Sequence, residues 1–74
     1  MPLSSQETLD LFYLDMRSMT LELAAALDRV QRASDHDKVK NDIRLKELAD
    51  CLDVLRSDDP DRAERVQRIL SDPV

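Results

Sequence analysis

At 74 residues with 16 acidic and 11 basic side chains, net charge −5, the chain has room for one small domain or for a share in an oligomer. It contains no glycine, which excludes P-loops and dinucleotide-binding fingerprints, because both need a residue without Cβ where backbone meets phosphate. The acidic balance also argues against nucleic acid or an anionic lipid surface as a general ligand, since the long-range attraction has the wrong sign.

The amino terminus, Met1-Pro2-Leu3-Ser4-Ser5-Gln6, lacks the basic start and apolar core of a signal peptide. The greasiest stretch, 9–27, is interrupted by Asp10, Asp15, Arg17 and Glu22, so it is not expected to cross a bilayer. The single cysteine cannot close an intrachain disulfide. A cytoplasmic protein is the expectation.

Ser4-Ser5-Gln6-Glu7 has the form of a capping box, with Ser4 accepting from the Glu7 amide and Glu7 reaching back. From there Leu9, Phe12, Met16, Met19, Leu23, Ala26, Val30 and Ala33 repeat at alternating spacings of 3 and 4. That is the a/d seam of a helix packed lengthwise on another. The predicted helix covers 5–33 and is about 43 Å long at 1.5 Å per residue. Asp28 and Arg32 form a favourable i,i+4 pair near its end, and Ser34-Asp35-His36-Asp37 stops it.

A second helix is predicted over 37–56. Leu45, Leu48, Leu52 and Leu55, broadened by Ala49, continue a 3,4,3 seam, while Val39, Ile43 and Val54 point to another face. A restart at Asn41 or Asp42 after a short turn is the alternative. A third helix is predicted over 60–71, with Asp59 as N-cap and Pro60 in the first helical position. Its apolar stripe is Ala63, Val66, Ile69 and Leu70, and Asp61–Arg65 and Glu64–Arg68 are i,i+4 pairs. Asp72-Pro73 ends it. The expected architecture is all-α: a single domain over 1–74 with a long N-terminal helix packed on two shorter ones.

One copy does not cover this surface comfortably. A compact domain of this length has a diameter of roughly 30 Å, shorter than the first helix. Leu11, Leu14, Leu21 and Ala25 make a second apolar stripe opposite the a/d seam. Stripes of this kind mark interaction surfaces. The sequence therefore predicts a homodimeric helical bundle, with the Leu9–Val30 seam as core and Leu11, Leu14, Leu21 and Ala25 as interface; the two can exchange roles.

Chemistry finds little support. His36 lies between Asp35 and Asp37, but neighbours in a turn rarely aim at one point, and capping is the simpler role for the aspartates. Cys51 sits beside the second seam with Asp50 and Asp53 near it rather than the basic groups reactive thiols keep, which suits a small core residue. No Glu-x-x-His pair exists for a di-metal site, and one histidine does not serve the six serines as a triad. No catalytic, cofactor-binding or metal-binding residue is predicted, and an enzyme is not expected. Met16 and Met19 suit either core filling or an adaptable groove for another helix.

Two functional expectations follow. The first is a small self-associating protein–protein interaction module, its acidic flank favouring basic partner surfaces. The alternative is a nucleic-acid-binding regulator using Arg62, Arg65 and Arg68, preceded by Arg56, on the third helix. Against it stand the acidic Ser57-Asp58-Asp59 link, the missing turn glycine, and Asp61 and Glu64 among the arginines.

Overall fold

A computed structural model describes residues 2–71, and these are all-helical: α1 (Ser5–Arg32), α2 (Ile43–Arg56) and α3 (Arg62–Ser71), with a single 3₁₀ turn at His36–Lys38 and no strand among them. The chain divides into two compact units, Met1–His36 and Asp37–Val74.

In the first unit the capping box forms as the residue types demand. Ser4 Oγ accepts from the Glu7 amide at 3.1 Å, and the Ser4 amide donates to Glu7 Oε1 at 3.0 Å. Two of the orphan donors at the helix start are thereby satisfied. The bond from the Ser4 backbone, with help from its hydroxyl, holds the Glu7 carboxyl below its ordinary value. At the other end Arg29 and Arg32 complement the negative pole of the helix, and Arg32 lies 3.8 Å from Asp28. The helix stops where Ala33 turns extended (φ −60°, ψ 141°). No residue of α1 is buried.

In the second unit α2 begins at Ile43, six residues later than the continuous 37–56 helix expected from the sequence. The reason is Asp42. Its backbone is extended (ψ 134°), and its carboxylate accepts from the Arg44 amide at 2.8 Å. The Arg44 guanidinium closes the same cap with two bonds, Nε to Oδ1 at 3.0 Å and Nη2 to Oδ2 at 2.9 Å. A residue committed to capping cannot also be mid-helix. The chain from 36 to 42 turns instead, with the His36 amide on Ala33 O and the Asp42 amide on Val39 O.

Those bonds from Arg44 pull the Asp42 carboxyl down from 3.8 to about 2. The folded state thus binds this proton less tightly than the unfolded chain. The cap's contribution is complete above the ordinary value and is lost as pH falls through about 2. Thermal melts followed by circular dichroism should show the wild type losing stability between pH 4 and pH 2 more steeply than Asp42→Asn, which keeps a capping oxygen but has no proton to gain.

α3 also starts later than expected, at Arg62 rather than Pro60. Asp61 has φ 63°, in the left-handed region where no helical residue sits. Its carbonyl accepts from the Arg65 amide at 3.0 Å, so the helix opens after Asp61 and not after Asp59. In a chain without glycine the reversal falls to aspartate, one of the few other types that tolerates αL. The expected stop at Asp72-Pro73 lies outside the described residues.

α2 and α3 pack on each other. The covered line on α2 is centred on Cys51 and Val54, 5% and 9% exposed and the only buried apolar side chains among the described residues. Leu45, Leu48 and Leu52 are half-buried beside them, as are Val66 and Ile69 of α3. Leu55, Ala63 and Leu70, expected on the apolar stripes, are exposed. The buried line is rotated from the leucine seam because the short 57–61 link returns α3 onto the last turns of α2, where Cys51 and Val54 face it.

Candidate functional site

The residues that stand out are apolar and in the open. On the first half of α1, Leu9, Leu11, Phe12, Tyr13, Leu14, Met16, Met19 and Leu21 are all between 42% and 70% exposed. Leu3, just before the helix, is exposed as well. Both faces singled out from the sequence are represented: Leu9, Phe12, Met16 and Met19 from the a/d seam, Leu11, Leu14 and Leu21 from the opposite stripe. Toward the C-terminal end Leu23, Ala25 and Leu27 are half-buried, and Val30 is 40% exposed. Along the seam expected to be core, exposure thus runs from the open side chains of Leu9–Met19 to the half-buried Leu23.

Two open grooves run along this surface. One is lined by Leu3, Ser5, Thr8, Leu9, Phe12 and Met16, the other by Leu9, Tyr13, Met16, Arg17, Thr20 and Leu21. They share Leu9 and Met16. The two threonine hydroxyls in the lining are turned inward: Thr8 Oγ1 donates to Ser4 O at 2.8 Å and Thr20 Oγ1 to Met16 O at 2.7 Å. With those donors spent on the helix backbone, the grooves present chiefly hydrocarbon and sulfur. Tyr13, which the heptad reading passed over, belongs here; its position flanking Phe12 on the edge of the seam was the available signal.

The arginines of α3 are occupied within the chain. The Arg62 guanidinium donates from Nε to Ser57 O at 3.0 Å and from Nη2 to the same oxygen. Arg65 Nη1 donates to Ser57 Oγ at 3.1 Å, and Arg68 Nη2 lies 2.8 Å from Glu64 Oε1. The Ser57 hydroxyl in turn donates to Val54 O at 2.7 Å. Arg62 and Arg65 therefore sit at the negative C-terminal pole of α2, where cations are favoured, and clasp the two helices together. Ser57 as the hub of this clasp was not foreseen, since nothing local marks contacts five and eight residues away. Arg65 goes to Ser57 where the sequence suggested Asp61, whereas the Glu64–Arg68 pair forms as spaced.

Cys51 is a free thiol buried at the α2–α3 contact. His36 lies in the 3₁₀ turn with Asp37. Among the described residues no three His, Cys, Asp or Glu side chains gather where a metal ion could be held, and no helix is long and apolar enough to cross a membrane.

No family model matches the chain, and neither does any curated protein or solved structure.

Proposed function

We propose that the protein is a self-associating protein–protein interaction module whose contact surface is α1. One observation carries this: eight large apolar side chains between Leu9 and Leu21 are open to solvent on successive turns. Exposing such a continuous band costs free energy at roughly 25 cal/mol per Å², and covering it is what drives helices together. The acidic residues flanking the band, Glu7, Asp10, Asp15 and Glu22, bias partners toward basic surfaces and repel nucleic acid. The arginine reading of α3 is the weaker one, because the donors it needs are engaged on Ser57 and Glu64.

Sedimentation equilibrium over ~1–100 µM, a range that detects associations of about 7 kcal/mol, tests it. The expected mass is a multiple of 8.5 kDa, falling to the monomer in at least one of two double variants, Met16→Glu/Met19→Glu on the seam or Leu14→Glu/Leu21→Glu on the stripe. A wild type that stays at 8.5 kDa throughout overturns the proposal.

A further inference from the structure

Self-association through α1 leaves open how two copies meet, and side-chain sizes along the seam decide it. The bulky residues Phe12, Met16 and Met19 occupy the first half, while the second half holds Ala26 and Val30. A parallel pair would stack Phe12 on Phe12 and Met16 on Met16 at one end, and Ala26 on Ala26 at the other. That leaves one end crowded and the other hollow. Helix pairs pack at an even separation of about 8–10 Å and tolerate neither overpacking nor voids. Reversing one helix matches large with small: Phe12 faces Val30 of the second copy, Met16 faces Ala26, and Met19 faces Leu23 across the two-fold axis.

Charge follows the same order. Asp15 and Arg29 both immediately precede a seam residue, Met16 and Val30, and so flank the contact on the same side. In antiparallel pairs such positions face each other, so each Asp15 meets the Arg29 of the second copy, twice per dimer. In a parallel pair Asp15 would face Thr20. The antiparallel sense also sets each helix's positive pole beside the other's negative one. Its one like-charge contact is Glu22 against Glu22 at the axis. A strip 28 residues long and one helix diameter wide buries on the order of 1,000 Å² over both partners, at the lower limit for a specific interface.

We propose that α1 pairs with α1 of a second copy in an antiparallel dimer through the Phe12–Val30 seam, with Asp15 and Arg29 matched across it. This rests on the self-association proposed above and adds its direction and register. The Leu11, Leu14, Leu21 and Ala25 stripe then faces away from the two-fold contact, free for a different partner.

Two measurements test it in the full chain. Spin labels on Asp10→Cys, in a Cys51→Ala background, should lie about 33 Å apart along the axis if the helices are antiparallel. A parallel pair holds them within about 20 Å. Independently, and with Cys51 untouched, Asp15→Arg and Arg29→Asp should each weaken dimerisation about tenfold, and the double swap should recover it. The two residues are about 21 Å apart along one helix, so such recovery can only act between copies. Glu22→Gln should tighten the dimer about twofold by removing the like-charge contact. Short label distances, or a double swap no better than its worse parent, overturn the antiparallel register while leaving self-association standing. A wild type of monomer mass, together with no dipolar coupling in the labelled Asp10→Cys variant, overturns both.

Discussion

Replacing Met16 and Met19 together with glutamate should abolish dimerisation, raising the dissociation constant by more than ~10⁴-fold in sedimentation equilibrium. Both methionines lie on the a/d seam and are exposed in the single chain, 42% and 60%. A two-fold dimer covers four such side chains. With about half of each side chain still open, covering them is worth roughly 1 kcal/mol apiece and about 4 kcal/mol in all, and the desolvation of four carboxylates adds to the loss. The helical signal should fall as well. α1 has no buried residue among its 28, and a long helix that gives up the packing of its apolar face frays. Leu14→Glu with Leu21→Glu is the control. It adds the same charge to the same helix but on the opposite stripe, and should leave the dimer intact. The reverse pattern, with the stripe variant monomeric and the seam variant dimeric, would move the self-contact to the stripe.

Val54→Ala should melt the α2–α3 pair. Val54 and Cys51 are the only buried apolar side chains among the described residues of that unit, so this small core has no reserve. Removing the two methyl groups costs about 1.5–2 kcal/mol. Helical units of under ~40 residues seldom have that much stability to spare without disulfides, metals or association. Circular dichroism should show partial loss of helicity, and hydrogen exchange should show that loss confined to α2 and α3. Leu55→Ala, one residue along but 53% exposed, should cost well under half as much. Equal losses from the two changes would mean that the packing is not centred on Val54.

Much of the local structure was legible because it is decided by neighbours in sequence. Ser4 and Glu7 can only satisfy each other's backbone one way, and the cap they form is the one their spacing predicts. Asp28–Arg32 and Glu64–Arg68 follow from helix geometry in the same manner. The starts of α2 and α3 were harder. At Asp42 the decisive partner is Arg44, whose fork competes with helix continuation from 37. At Asp61 a left-handed backbone overrides the proline signal and delays the helix to Arg62, which with Arg65 donates back to Ser57. No two- or three-residue pattern announces either event.

The absence of glycine and the shortness of the chain determined, without coordinates, that this protein is built of helices punctuated by serine, aspartate and proline, with no phosphate loop. The apolar periodicity of 9–33 added the expectation that α1 carries more apolar surface than one small fold covers. Which of those surfaces are buried was a tertiary matter. Periodicity ranks the faces of a helix by hydrophobicity, but burial depends on what the connecting chain can bring against them. A five-residue link brought α3 onto Cys51 and Val54 instead of the leucine seam, and no residue of α1 ended up buried.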